Sequence, residues 1–136
     1  MNISAKVLES LKACEEGYKN FVKYHPTFNG TLAESLLLPN ISYENKLWLI
    51  STVVDKNILE KWVEDCIVYI IFSYPESYLN GDKIKGTLTN ILTLLNSTSE
   101  EEHLYGVMAA EAFKDIVCID YPEQKDINLQ LLIQLL

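Results

Sequence analysis

The chain has two histidines, His25 and His103, and either could act as a base or a metal ligand. His25 precedes Pro26 where a helix should end, and His103 follows Glu100, Glu101 and Glu102 where a helix should begin. Three adjacent carboxylates and an imidazole could attract a cation. All of them are local and solvated, however, and no further ligand stands at a fixed spacing. A solvated helix start accounts for the cluster, and no metal site is expected. Glu64 and Asp65 are a second acidic pair set among apolar residues, the raw material of acid–base catalysis. Neighbours on a helix diverge by about 100°, so the two cannot address one substrate. Lys61, four residues before Asp65, offers it a surface ion pair instead. No Gly-x-Ser-x-Gly elbow and no glycine-rich phosphate loop occur. The sequence therefore predicts no catalytic residue, no cofactor and no enzyme activity.

Cys14, Cys66 and Cys118 are dispersed among apolar neighbours without the paired spacing of zinc or redox motifs. Each reads as a small buried hydrophobe, and the odd set fits a reducing cytoplasm. Residues 1–13 contain Lys6, Glu9 and Lys12 and lack the uninterrupted apolar core of a signal peptide. The longest apolar run, residues 66–72, is far shorter than the roughly 20 residues a membrane span requires.

Charge is more informative. All eleven basic residues are Lys, and the formal charge is −8. Without Arg, the side chain that grips phosphate bidentately, direct nucleic-acid binding is not expected. Residues 98–136 hold eight acids and two Lys, so most of the negative charge sits in the last third. Glu100, Glu101, Glu102, Asp115, Asp120 and Glu123 are the candidate residues for a protein partner with a basic surface, reached through long-range steering.

The elements that must position these groups are helices, because apolar residues recur with period 3.6 between every pair of breakers. With 136 residues and 49% apolar content, one all-helical domain over 1–136 is expected. It would be a compact bundle of six to seven amphipathic helices around an apolar central helix at 56–74. A first helical stretch carries Val7, Leu8, Leu11, Cys14, Tyr18, Phe21 and Val22, interrupted by Gly17 and ended by His25-Pro26. Thr31-Leu32-Ala33-Glu34 has capping-box spacing. A helix from about Ser42 to Val54 turns Leu47, Ile50, Ser51 and Val54 inward, and Asp55 can cap the central helix.

The β-branched run at 67–72 continues the helical pattern without a breaker and has no partner strand. After a loop at Asn80-Gly81-Asp82, Ile84, Leu88, Ile91, Leu92 and Leu95 form a stripe. Ser99 then caps a helix that buries Leu104, Val107, Met108, Ala112, Phe113 and Ile116 and ends at Tyr121-Pro122. A last segment aligns Leu129, Leu132, Ile133 and Leu136. Trp48 and Trp62 fall on core faces, whereas Tyr74, Tyr78 and Tyr121, beside Pro-bearing turns, are candidates for exposed contacts.

Ala13-Cys14-Glu15-Glu16-Gly17-Tyr18 and, further on, Asn45-Lys46-Leu47-Trp48-Leu49-Ile50 resemble a loose pattern in small phage and prophage proteins labelled immunity proteins. The resemblance spans residues 8–75. Its motif positions look like packing positions and carry no functional residue across. What the resemblance implies is binding and neutralising a partner protein, as an immunity-type or phage anti-defence (anti-CRISPR-like) inhibitor. One form of that is mimicry of nucleic-acid charge. The alternative expectation is a structural protein that homo-oligomerises through its apolar C-terminal helix.

Overall fold

The computed structural model describes residues 1–74 and 82–136, with Asp82, Lys83, Ile84, Lys85, Leu88 and Ile116 described through the backbone alone. Pro75, Tyr78, Asn80 and Gly81 lie outside the described residues, as do the side chains of Ile84, Leu88 and Ile116 assigned to apolar stripes. The protein is all-α: eight helices and one two-residue strand pair among the described residues. No helix among them is long and apolar enough to cross a membrane. The chain divides into two compact units, Met1–Val54 with Leu136, and Asp55–Leu135.

In the first unit, β1 (Ile3–Ser4) pairs antiparallel with β2 (Asn29–Gly30), Ile3 opposite Gly30. These strands are too short to leave a period-2 signal, so sequence patterning passes over them. Helices α1 (Ala5–Ser10), α2 (Glu15–Tyr24), α3 (Leu32–Leu36) and α4 (Tyr43–Val53) complete the unit. Ile3, Leu8, Phe21 and Leu49 form the core, flanked by Tyr18, Phe28 and Trp48.

The single helical stretch expected over Val7 to Val22 is two helices, and Gly17 is not where it breaks. Lys12 adopts φ 62°, its N–H donating to Glu9 O (3.0 Å), and Ala13 N–H donates to Leu8 O (3.1 Å). This Schellman closure ends α1 with lysine in the left-handed position usually held by Gly. Cys14 then caps α2, its Sγ accepting from Gly17 N–H at 3.3 Å. Cys14 is consequently exposed, correcting the expectation of burial, while Cys66 and Cys118 are buried. Ser51, expected inward, is exposed and donates to Trp48 O, and Leu49 takes its place in the core. Thr31, Ser42 and Ser99 cap helices as their spacing suggests, whereas Asp55 occupies a cap position without a side-chain bond.

In the second unit, α5 (Lys56–Ser73) packs against α6 (Asp82–Leu95), α7 (Glu100–Asp120) and α8 (Gln124–Ile133). It is helical through residues 67–72, but its last turn is not covered on all sides, since Phe72 is exposed. Val63, Ile67, Ile70, Ile91, Leu95, Ala110 and Val117 form the core. Gly106 lets α7 approach α6, because a Cβ there would lie 2.8 Å from Leu95 N and 2.9 Å from Leu94 Cβ.

A chain of polar contacts runs through this unit. Trp62 Nε1 donates to the Asn128 carbonyl at 2.7 Å, and Gln124 Nε2 donates to Asn128 Oδ1 at 2.7 Å. The Tyr74 hydroxyl donates to Gln124 Oε1. Lys114, wholly buried, places Nζ 4.3 Å from the Trp62 ring centre and 3.1 Å from Glu111 Oε1. Burial pushes the Cys66 thiol and the Tyr74 hydroxyl each up to about 12, so both stay protonated in ordinary buffers.

Two glycine substitutions should act in opposite directions. Lys12→Gly relieves left-handed strain and should stabilise the protein by up to about 1 kcal/mol. Gly106→Ala adds a methyl that meets backbone, and should destabilise by roughly 1–3 kcal/mol despite alanine's better helix propensity. Urea unfolding of both variants beside the parent chain checks the signs.

Candidate protein-binding face

The candidate acids belong to α7 and its exit. Glu100, Glu101 and Glu102 occupy the first turn of α7, where the helix dipole favours them. Asp115 and Asp120 lie toward its other end, and Glu123 is the N-cap of α8. All six are exposed, but they form two groups, with Glu101 and Asp115 about 21 Å apart along the helix at 1.5 Å per residue. In the first group, the Ser97 hydroxyl donates to Glu102 Oε2 (2.7 Å) and the Tyr105 hydroxyl to Glu101 Oε1 (3.1 Å). In the second, Asp120 sits in the last turn of α7, at the negative end of the dipole, with no basic residue in that turn. Helix stability disfavours an acid there.

Between the two groups Leu104, Tyr105 and Met108 are 53%, 55% and 61% exposed, and Ile119, within the second group, is 78% exposed. With Glu101, Ala112 and Asp115 they recur at helical spacing on one outward face of α7. The opposite face, Gly106, Ala110, Lys114 and Val117, is buried. The burial expected for Leu104, Met108 and Ala112 is thus corrected, with Val107 and Phe113 only partly buried. Small residues at 106 and 110 permit the close approach that larger ones would block, so α7 turns its smaller residues to the core. Lys114 obscured that face in the sequence, because a charged residue on a stripe normally marks solvent.

The remaining candidates are structural. Tyr74 and Tyr121 are partly buried against each other, ring centres 4.4 Å apart, rather than presented as exposed contacts. His25 Nε2 lies 2.7 Å from Pro39 O within the first unit. Lys61 pairs with Asp65 at 3.0 Å. Among the described residues, no three His, Cys, Asp or Glu side chains gather as metal ligands. On α8, Leu129 and Leu132 are buried within the unit together with Gln124 and Asn128.

No protein-family model, curated protein or solved structure matches the chain.

His103 ties three helices together beneath the acidic turn. Its Nδ1–H donates to the Leu95 carbonyl of α6 at 2.7 Å, and Nε2 lies 3.1 Å from Glu60 Oε2 of α5, an ion-pair contact outside hydrogen-bonding geometry. A carbonyl only accepts, so Nδ1 must carry a proton, and the carboxylate then favours a second proton on Nε2. The Leu95 carbonyl, followed by Glu60, raises the imidazole above its ordinary 6.5, against partial burial and Lys56. A raised histidine contributes stability that is complete below the unfolded value and is lost as pH climbs through the folded one. Unfolding midpoints should therefore decline as pH is raised above 6.5, and His103→Gln should flatten the decline.

Proposed function

We propose that the chain is a non-enzymatic protein-binding module whose contact element is the outward face of α7. The observation that carries this is the pairing of exposed Leu104, Tyr105, Met108 and Ile119 with acids at both ends of the same helix. Exposed apolar residues aligned on one face, with a charged rim, are the usual composition of a protein interface. Tyr brings a rigid ring to such a contact and Met an adaptable one. The rim specifies the partner's sign. Residues 98–136 hold two Lys against eight acids, and one of the two, Lys114, is buried. Lys114 is paired with Glu111, so the other seven acids face one remaining Lys, and the partner surface they fit is an apolar strip edged by Lys or Arg.

The resemblance to immunity proteins supports a stronger version, in which occupancy of this face neutralises the partner. If the partner is a nucleic-acid-binding protein, the acids stand in for phosphates. Leu129 and Leu132 contribute to the unit's interior, so α7 is a better-supported contact than the C-terminal helix.

The test is a photo-crosslinking residue placed at position 108, with position 16 in the first unit as the control. Crosslinks from 108 to a lysine- or arginine-rich segment of one protein, weakened by 0.5 M salt, are expected. In the chain that carries the crosslinker at 108, Leu104→Asp should abolish them while leaving stability within about 0.5 kcal/mol, as for other exposed positions. Crosslinks joining two copies of the chain would support homo-oligomerisation instead. Yields at 108 no higher than at 16 would remove the α7 face from consideration. Competition by duplex DNA would mark the charge-mimic form.

A further inference from the structure

The first unit contains a cavity of about 170 Å³ that the α7 face leaves unexplained. Leu8, Phe21, Ile41, Trp48 and Leu49 supply its apolar walls, and Cys14, Gly17 and Asn45 stand at one side. Both stretches singled out in the sequence, 13–18 and 45–50, thus converge on one space. A groove lined by Glu16, Asn20, Asn40 and Ser42 shares Cys14, Gly17 and Asn45 with the cavity, which gives it an entry with one exposed carboxylate. The rim is fixed, since Asn20 Nδ2 donates to Asn40 O at 2.9 Å and Asn40 holds φ 63°.

The polar groups of the lining differ in availability. Cys14 Sγ already accepts from Gly17 N–H, and the Ser35 hydroxyl donates to Leu32 O at 2.6 Å. Lys46 is engaged in an interaction of its own. The side-chain amide of Asn45 has no hydrogen-bond partner among the described residues, and its Oδ1 would lie 3.4 Å from a Cβ added at Gly17. One directional polar group therefore faces an apolar space, and the lining holds no uncommitted charge.

We propose that this cavity binds a small neutral ring compound, aromatic or alicyclic, with one hydroxyl or N–H directed at Asn45. The size fits a single ring, since an apolar cavity of about 150 Å³ admits benzene. Charge is disfavoured because a carboxylate would lose its hydration without gaining an uncommitted cation. This site is independent of the α7 face and would stand if that face bound nothing.

Phenol is the probe, with toluene and benzoate as comparators, titrated into the full chain and followed by protein NMR. Saturable shifts centred on the lining residues are expected, with phenol bound more tightly than either comparator. Bound phenol should also slow alkylation of Cys14, the exposed thiol beside the two buried ones. Asn45→Leu keeps the volume and removes the polar group. It should weaken phenol by about tenfold, the scale of one lost buried hydrogen bond, and leave toluene unchanged or tighter. Gly17→Leu, which fills the entry, should block both, and folding of each variant is checked by its amide spectrum. Tighter benzoate than phenol, shifts scattered over both units, or an Asn45→Leu chain that binds phenol as before would each overturn the assignment.

Discussion

The hydrogen bond from the Trp62 indole to the Asn128 carbonyl is the contact around which the second unit is arranged. An indole N–H buried without an acceptor costs on the order of 1–3 kcal/mol, so Trp62 can enter the core only where α8 presents a carbonyl. Asn128 is held in turn by Gln124, and Gln124 by Tyr74. With Trp62 fixed, its ring face is what accommodates the Lys114 ammonium, which a purely aliphatic core would expel. Glu111, half-exposed, supplies the counter-charge from the same helix. Seating Lys114 fixes the rotation of α7 about its axis. Leu104, Tyr105, Met108 and Ile119 lie on the far side of that helix and so have nowhere to go but outward.

Much of the scaffold was legible because it follows from local chemistry. Thr31, Ser42 and Ser99 mark helix starts through their own oxygens. The run at 67–72 is helical, as the pattern leading into it implied, despite its β-branched residues. Lys61 and Asp65 pair at the spacing a helix imposes. What was hidden depends on tertiary context. Lys12 takes a conformation that sequence assigns to Gly or Asn, so the break between α1 and α2 left no signature. Cys14 is a helix cap, a role more often read from Ser, Thr, Asp or Asn. The Ile3–Gly30 pairing joins segments with no alternating pattern.

The functional face shows the same division. Its acids could be read from composition and from the crowded Glu100-Glu101-Glu102 turn. The apolar strip between the acids could not, because α7 carries two competing stripes and the larger residues belong to the outward one. Gly106 and Ala110 were the available signal: small residues four apart mark where a neighbouring helix comes close. The cavity of the first unit was legible only as residues that stood out, Gly17 and Trp48 among them, without the space they enclose. Asn45 stood in the sequence only as the first residue of the 45–50 stretch, since an asparagine near a helix start is ordinary and carries no mark of facing a cavity.

The burial of Lys114 also bears on how the protein is degraded. In a chain without Arg, a trypsin-like protease cuts after Lys alone, and between Lys85 and Lys125 the only such bond follows Lys114. That side chain lies beneath Trp62, inside the long helix that carries the exposed face. A protease that must seat the lysine in its specificity pocket meets it only after α7 has left the core. Cleavage at this bond therefore follows the opening of the second unit and not surface nicking, so the stretch from Gly86 to Lys125, which carries α7 and its acids, remains one uncut piece for as long as that unit stays folded.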